Sequence, residues 1–294
     1  MATKFLVLDV SKHQGNINWK KVAESGVKGV ILRACYRGYG SAGTLKIDEK
    51  FNEYIAEVIK YGIPYGVYVF SQAITNAEAV EEAKLALDLV KKQSVQPLFP
   101  IYIDSEYGNV LHTGRADKLT KAARTSIIEA FCETVETAGY WAGIYASTSW
   151  FNNQLYDSNL KDYTHWVAHY ATACGYKGNY DMWQYTSSHS HTGISGRVDA
   201  NWCYKDFPTI VKKAGLNGYK NESSVPLKSV FTNRAVSEHA KDKFKALADE
   251  LSINLDIVEE TKYYITTEGM TDGDVKQFQS LAKALIEEVT VEEV

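Results

Sequence analysis

The chain has 294 residues, of which 45% are hydrophobic and 23% charged, and its formal net charge is −4 at pH 7. This composition is typical of a folded globular protein, and the length suits one large domain with a smaller one. The sequence has no basic patch, which excludes the nucleic-acid-binding class. Its apolar runs are shorter than the roughly 20 residues that cross a bilayer, so we expect no stable membrane association.

Charge is unevenly distributed along the chain. From Glu222 onward the chain carries 8 Lys and Arg against 15 Asp and Glu, whereas the preceding part carries 24 and 21. The segment 216–226 is polar and contains Gly, Asn, Ser and Pro, which is typical of a linker. We therefore expect a large domain over 1–215, a linker over 216–226 and a small domain over 227–294.

Strand-like and helical segments alternate over roughly the first half of the chain. Strands are predicted at Phe5–Val10, Lys28–Ala34, Tyr65–Phe70, Phe99–Asp104 and Gly143–Ala146. Helices are predicted between them at Asn18–Ser25, Asp48–Tyr61, Asn76–Lys92 and Leu119–Ala138, with Asn18 and Asn76 as N-caps. This order is typical of an α/β fold built from βα units.

The alternation of strands and helices does not continue after this region. Strand-like segments begin near His165, Asp181 and Arg197, with spacings of 16 residues that leave little room for crossover helices. We therefore predict an α/β fold, an irregular (β/α)5(β)3 barrel. The C-terminal part predicts a small α+β domain of the order βαββα, with its elements at Leu227–Thr232, Ser237–Leu251, Ile253–Val258, Tyr263–Thr267 and Asp272–Val289.

Four acidic residues are predicted to end barrel strands: Asp9, Asp104, Glu106 and Asp199. Asp104 and Glu106 are two residues apart, so they project from one face of the strand, and barrel active sites lie at the carboxyl ends of the strands. Barrel closure predicts that Asp9 and Asp199 are neighbours. Crowded carboxylates raise the pKa of one member, which provides a proton donor beside an anion, as glycoside hydrolysis requires.

Aromatic side chains accompany these acids along the predicted rim. Tyrosine and tryptophan combine an apolar face with a polar edge, which suits contact with sugar rings. The candidate substrate-binding residues are Tyr68, Phe70, Tyr145, Trp183 and Tyr185. His13 is expected to shape the pocket, and His165 and His169 to pack. His189 and His191 lack partners at metal-ligand spacing, so a solvated loop is the preferred interpretation and no metal site is predicted.

Four motifs together resemble those of glycoside hydrolase family 25 lysozymes over about residues 1–215. They are Asp9-Val-Ser-Lys-His-Gln-Gly-Asn-Ile-Asn-Trp19, Asp104-Ser-Glu106, Trp183-Gln-Tyr185 and Val198-Asp-Ala-Asn-Trp202. The family usually has an aliphatic residue at the position of Ser105, which is expected to point away from the acids. The resemblance implies cleavage of the β-1,4 bond between N-acetylmuramic acid and N-acetylglucosamine in peptidoglycan, without a cofactor.

The resemblance also implies roles for the acids. Glu106 corresponds to the general acid. Asp104 would remain ionised and either stabilise positive charge or polarise the substrate's acetamido group, and the sequence leaves substrate assistance and direct water attack open. Asp9 and Asp199 would tune Glu106 and position substrate or water. The alternative is a non-catalytic carbohydrate-binding barrel, which the intact set of acids disfavours.

The resemblance extends to phage endolysins with a C-terminal wall-binding module, and a bacterial autolysin is the alternative. By position, the C-terminal domain is expected to bind a cell-wall polymer, or else to form a homo-oligomer. The N-terminus reaches Asp9 after four apolar residues, too soon for a signal peptide. We therefore expect the protein to accumulate in the host bacterial cytoplasm and to reach the wall after holin-mediated release.

Overall fold

The structure is a computed structural model of the chain. It describes residues 4–220, 228–232, 238–251, 255–259, 263–270, 272–284 and 289–293. The chain divides into two compact units, Met1–Lys220 and Asn221–Val294, and each is described by itself below. No helix within the described ranges is long and apolar enough to cross a membrane.

A closed barrel of eight strands forms the first unit. The strands in chain order, with β3 attached outside the ring, are β1 (Phe5–Val10), β2 (Gly29–Arg37), β3 (Leu45–Ile47), β4 (Tyr65–Ser71), β5 (Ile101–Ser105), β6 (Ala142–Ser147), β7 (Thr164–Ala168), β8 (Met182–His189) and β9 (Val198–Cys203). They are arranged β1-β9-β8-β7-β6-β5-β4-β2, and pairing of β1 with β2 closes the ring.

Helices follow the first five barrel strands. They are α1 (Trp19–Glu24), α2 (Phe51–Lys60), α3 (Asn76–Lys91), α4 (Lys121–Thr137) and the short pair α5 (Thr148–Asn153) and α6 (Asp157–Leu160), with α7 (Phe207–Ala214) after β9. No described helix separates β7 from β8 or β8 from β9. The predicted irregular (β/α)5(β)3 barrel is therefore confirmed.

The last barrel strand runs in the opposite direction to its neighbours. β9 pairs antiparallel with both β8 and β1, whereas β1 and β2 are parallel. The connection 190–197 is too short for a crossover helix, so the chain returns as a hairpin. The prediction that Asp199 ends the last strand is therefore wrong, because Asp199 lies near the start of β9. This direction still brings Asp199 to the carboxyl rim, where it is directly paired with Asp9.

Two helix starts differ from those predicted. Thr75, rather than Asn76, is the N-cap of α3, because its hydroxyl accepts a hydrogen bond from the Glu78 backbone N–H at 3.2 Å. Helix α2 begins at Phe51, later than the predicted Asp48, whose carboxylate accepts a hydrogen bond from the Lys50 backbone N–H. The predicted N-cap of α1, Asn18, is confirmed. Strand β3 was not predicted and pairs antiparallel with β2.

Two apolar layers stabilise the barrel. Alternation along the strands sends one set of side chains inward and the other towards the helices. The inner cluster includes Val7, Ile31, Tyr102, Trp166, Met182 and Phe207. The outer cluster contains Leu32, Val67, Ile103 and Ile144 with the buried faces of α2, α3 and α4. The inner cluster fills the barrel below the rim, where the acids lie.

The first residues of the predicted linker belong to the barrel unit. Asn217 is fully buried, and its side-chain amide donates hydrogen bonds to the backbone oxygens of Pro97 and Phe99. Its side-chain oxygen accepts a hydrogen bond from the Trp141 backbone N–H at 2.7 Å. These bonds fix the segment against the barrel rather than leaving it as a linker. The remainder of the predicted linker, 221–226, lies outside the described residues.

The second unit contains a four-stranded antiparallel sheet of the order β11-β12-β10-β13. Its elements are β10 (Lys228–Thr232), α8 (Glu238–Leu251), β11 (Leu255–Glu259), β12 (Tyr263–Met270), α9 (Asp272–Ala284) and β13 (Val289–Glu293). The buried rings of Phe244 and Phe278 stack 5.7 Å apart between the two helices. The predicted element starts at Leu227, Ser237 and Ile253 lie outside the described residues.

The order of the second unit is βαββαβ, with one strand more than predicted. The last helix was predicted to reach Val289, but α9 ends at Ala284 and the terminal segment forms β13. The alternating Val-Thr-Val pattern from Val289 favours an extended segment, and β13 pairs antiparallel with β10.

Candidate active site

The four predicted acids meet in one cavity at the carboxyl rim of the barrel. Asp9, Asp104, Glu106 and Asp199 line a volume of about 140 Å³. The remaining lining residues are Tyr68, Tyr145, Trp166, Tyr170 and Gln184. The structure therefore brings together all of the acids that the sequence singled out, together with Tyr68 and Tyr145.

Strand register places each acid. Asp104 is paired with Phe70 of β4 on one side and with Tyr145 of β6 on the other. Glu106 follows β5 by one residue and lines the same cavity as Asp104, as the alternation of side chains predicts. Ser105, between them, is buried and does not line the cavity.

Asp9 is buried and is held by two amide side chains. Its Oδ2 accepts hydrogen bonds from Gln184 Nε2 at 3.0 Å and from Asn201 Nδ2 at 2.8 Å. Burial, followed by the charge of Asp199, raises the pKa of Asp9 well above its usual value, although the two hydrogen bonds act to lower it. Asp9 is therefore a group that takes up a proton readily inside the site.

The two acids at the end of β5, Asp104 and Glu106, also have raised pKa values. Asp104 is 5% exposed, and its buried Oδ1 has no hydrogen-bond partner among the described residues. Burial and then the charge of Glu106 raise the pKa of Asp104. Burial and then Asp199 raise the pKa of Glu106 to about 7, and burial raises that of Asp199 to about 6. The pKa values of all four carboxyl groups are therefore raised, and those of Glu106 and Asp199 lie near neutral pH.

Amide and aromatic groups that the sequence analysis missed organise the floor of the cavity. Gln184 Oε1 accepts hydrogen bonds from the hydroxyls of Tyr145 at 2.9 Å and Tyr170 at 2.8 Å. Asn201 Oδ1 accepts a hydrogen bond from Trp166 Nε1 at 2.7 Å. Strand alternation offered a signal for Gln184, because inward-facing Met182 two residues earlier places it on the same face.

Two predicted substrate-binding residues do not line the cavities around the acids. Trp183 and Tyr185 flank Gln184 on β8 and therefore project from the opposite face of the strand. The Trp183 indole N–H donates to the His169 backbone oxygen at 2.7 Å, and Tyr185 stacks on Trp202 at 5.2 Å. The structure therefore assigns both rings to packing outside the catalytic cavity.

Two larger cavities extend from the acids in different directions. One of about 560 Å³ is lined by Tyr68, Phe70, Asp104 and Glu106, and by residues near the end of β2. The other, of about 530 Å³, is lined by Glu106, Tyr145 and Ser147, among others. Both contain Glu106, so an extended ligand that occupies both cavities passes directly over this carboxyl group.

The histidines occupy separate positions. His13 lines the larger cavity and His169 the one beyond Tyr145. His165 is buried and packs on Phe151 at 4.6 Å, as expected for a packing residue. The rings of His189 and His191 are 5.7 Å apart, and the described residues contain no group of three or more side chains suited to hold a metal ion.

This arrangement can perform proton transfer to a bound ligand. Glu106 borders all three of these cavities, and its pKa of about 7 allows it to hold a proton at neutral pH. Asp104 lies beside it, and its buried Oδ1 has no hydrogen-bond partner within the described part of the chain. A proton donor beside a carboxylate in an extended groove is the arrangement that glycoside hydrolysis uses.

Comparison with known proteins identifies the family. Residues 8–194, which contain Asp9, Asp104, Glu106 and the barrel strands through β8, match the model of Glycosyl hydrolases family 25. The chain belongs to this family. The resemblance predicted from the four sequence motifs is thereby confirmed.

Relatives of this family 25 chain include enzymes of bacteria and phages. It is 24% identical over 196 residues to the autolytic lysozyme of Clostridium acetobutylicum, covering 65% of this chain and 53% of the relative. Among solved structures, the modular autolysin LytC of Streptococcus pneumoniae in complex with a synthetic peptidoglycan ligand has a TM-score of 0.61 and 33% identity, covering 68% of this chain and 46% of LytC. The chain thus spans about half the length of both relatives.

The catalytic domain of the endolysin ply40, from bacteriophage P40 of Listeria monocytogenes, has the same fold. Its TM-score is 0.55 at 24% identity, with 72% of this chain and 98% of that domain covered.

Proposed function

We propose that this protein is a muramidase that cleaves the β-1,4 bond between N-acetylmuramic acid and N-acetylglucosamine in peptidoglycan. The observation that carries the proposal is Glu106, a half-buried acid with a pKa of about 7 at the junction of the rim cavities, with Asp104 beside it. Family membership and the similarity to LytC, whose structure holds a synthetic peptidoglycan ligand, support the same substrate class.

In the proposed reaction, Glu106 donates its proton to the glycosidic oxygen as the bond from that oxygen to the muramic acid C1 breaks. Positive charge develops on the sugar ring and is stabilised by the Asp104 carboxylate. Water then adds to C1 and transfers a proton to a carboxylate of the site, which restores the starting number of protons on the acids. The negative charge of Asp199 helps to keep the proton on Glu106 before the reaction, and Asp9 lies beside Asp199 at the rim.

Two routes complete the hydrolysis, and their products differ in configuration at C1. If Asp104 polarises the acetamido group, that group attacks C1, and water later opens the ring so formed with retention of configuration. If water attacks C1 directly, the configuration is inverted. Proton NMR of freshly released ends, recorded before mutarotation, distinguishes the two outcomes.

The test of the proposal is Glu106→Gln, which keeps the shape of the side chain and removes its proton-donating ability. We expect wall lysis to fall by about two to four orders of magnitude, with an unchanged circular dichroism spectrum. A zymogram on purified walls separates this enzyme from the alternative, a non-catalytic carbohydrate-binding barrel. Near wild-type clearing by Glu106→Gln would remove Glu106 from the mechanism, and no clearing by the wild-type protein would favour the binding alternative.

We further propose that the enzyme acts as a phage endolysin, accumulating in the host cytoplasm and reaching the wall after a holin opens the membrane. The likeness to the ply40 catalytic domain supports this role, and the likeness to the autolytic lysozyme supports the second candidate, a bacterial autolysin. Expression in host-related cells with and without a holin tests the choice. Lysis only with the holin supports the endolysin, and lysis without it supports the autolysin.

For the C-terminal unit, Asn221–Val294, we propose binding of a cell-wall polymer, with homo-oligomer formation as the alternative. Such binding would raise the local concentration of the barrel at the wall. The test compares fluorescent fusions of full-length Glu106→Gln with and without residues 221–294. Equal labelling of walls by both would exclude the wall-binding role, and light scattering of the same proteins tests oligomer formation.

A further inference from the structure

Regular alternation in strand β2, with Ile31 in the inner cluster and Leu32 in the outer one, turns Arg33 towards the active site. Arg33 is paired with Tyr68 of β4, but the next pair joins Cys35 to Val69, so Ala34 is an extra residue in β2. Ala34 and Cys35 are both buried in the outer apolar layer, whereas Arg33 and Tyr36 line the larger rim cavity. Such bulges occur beside active sites, and this one allows Tyr36 to face the same cavity as Arg33 although two outward-facing residues separate them.

The bulge also anchors the residue that orients Arg33. The Ala34 backbone oxygen accepts a hydrogen bond from the Asp48 N–H at 3.0 Å, and Asp48 Oδ2 accepts one from Arg33 Nε at 2.7 Å. The Asp48 side chain is almost completely buried and also accepts hydrogen bonds from the backbone N–H groups of Lys12 and Lys50. Asp48 is therefore fixed from three directions, and it holds one edge of the guanidinium.

The opposite edge of Arg33 faces the cavity that Asp104 lines. Nη1 and Nη2 of Arg33 form no hydrogen bond with the described residues, and its side chain is 11% exposed. The other cations of this cavity are already engaged: Lys12 with Glu49 at 2.9 Å, and Arg37 with Glu82 at 2.7 Å. Arg33 is also ion-paired, through Nε with Asp48 at 2.7 Å, but its Nη1 and Nη2 groups have no partner among the described residues and are left for the acids of the cavity.

Asp104 needs such a cation because its other ionisable neighbours are acids and phenols. The groups that face it from the surrounding elements are Asp9 (β1), Arg33 (β2), Tyr68 (β4), Glu106 (after β5), Tyr145 (β6) and Asp199 (β9). Arg33 is the one group of this set that lowers the pKa of Asp104, against burial and three like charges.

We propose that Arg33, oriented by Asp48 and the Ala34 bulge, is a positioning residue that decides which carboxyl holds the shared proton: it keeps Asp104 anionic and thereby leaves the proton on Glu106. The inference rests on the proposed function, since it assigns different charges to the two acids of that reaction. Loss of the Arg33 charge moves the proton towards Asp104, which removes both the stabilising anion and the proton donor.

The experiment compares Arg33→Gln, which removes the charge, with Arg33→Lys, which restores it. The pH profile of kcat on purified glycan strands is expected to show an acid limb set by ionisation of Asp104. In Arg33→Gln this limb moves upward by about one pH unit, so that kcat on the limb falls about tenfold. In Arg33→Lys the acid limb is expected to lie close to its wild-type position. Lys50→Gln, which removes a cation outside the cavity, controls for net charge and leaves the limb in place.

A double-mutant cycle distinguishes this role from simple support of the fold. In an Asp104→Asn background, Arg33→Gln changes kcat by less than about threefold, because the charge that it supports is gone. An unmoved limb, or an equal loss of kcat in both backgrounds, would overturn the inference. Carbon-13 NMR titration compares the pKa of Asp104 in the wild type and in Arg33→Gln directly, without turnover. If wild-type protein released no glycan fragments, the proposed function would fail, and this titration would still test Arg33.

Discussion

Replacing Glu106 by Gln is expected to stabilise the barrel at neutral pH and to leave its stability unchanged in acid. Folding raises the pKa of Glu106 from 4.5 to about 7, so the folded state binds its proton more tightly than the unfolded chain does. Stability associated with this group is present at low pH and is lost as the pH rises from about 4.5 through about 7. Glutamine has no charge to bury, so the mutant avoids this loss.

The magnitude follows from the shift. About 1.4 kcal/mol per pKa unit gives an upper bound of ~3 kcal/mol, and partial solvent access together with coupling to Asp199 reduces the expected gain to about 1–3 kcal/mol. Urea unfolding followed by tryptophan fluorescence reports on the barrel, because all 6 Trp precede Glu222. Curves at about pH 4 and about pH 8 give the comparison, and Glu133→Gln, exposed on α4, serves as the matched control. An equal effect of Glu106→Gln at both pH values would refute the electrostatic account of the cavity.

Three further predictions concern the same architecture. The kcat/KM of the wild-type enzyme should fall as the pH rises above about 7, where Glu106 loses its proton, and a flat profile to about pH 9 would contradict its assignment as the acid. Asn201→Ala should cost about 1–3 kcal/mol of folding free energy in urea unfolding, because it leaves Asp9 and Trp166 without their buried partner. Thr75→Ala should cost about 1 kcal/mol through loss of the α3 cap without changing the rate of lysis; a lower rate would show that the cap acts on the site.

The acids were predictable because their positions follow from strand periodicity. Asp104 and Glu106 share a face at the end of an apolar strand, and barrel closure alone brings Asp9 next to Asp199. The direction of β9 was less accessible, since it depends on the short connection 190–197: the spacing of the strands predicts that little room is left for a crossover helix but does not by itself predict a hairpin. The acids still meet because an antiparallel strand presents its start, rather than its end, at that rim.

The contacts of the supporting network were not predictable from the motifs, although two of its members, Gln184 and Asn201, lie within them. In the Trp183-Gln-Tyr185 motif the two aromatic residues face away from the acids. The inward-facing residue is Gln184, which links Asp9 to Tyr145. Arg33 follows the regular alternation from Ile31, but its role depends on a tertiary ion pair that the alternation does not reveal. The partner of Arg33, Asp48, is separated from it by 15 residues and was assigned instead to the start of a helix.

The central claim, that Glu106 protonates a muramic acid glycoside, is tested most directly by mass spectrometry of borohydride-reduced fragments from purified walls. We predict that wild-type protein produces fragments ending in reduced N-acetylmuramic acid, and that Glu106→Gln produces almost none under identical conditions. Fragments ending in reduced N-acetylglucosamine, or equal yields from wild type and Glu106→Gln, would contradict the account.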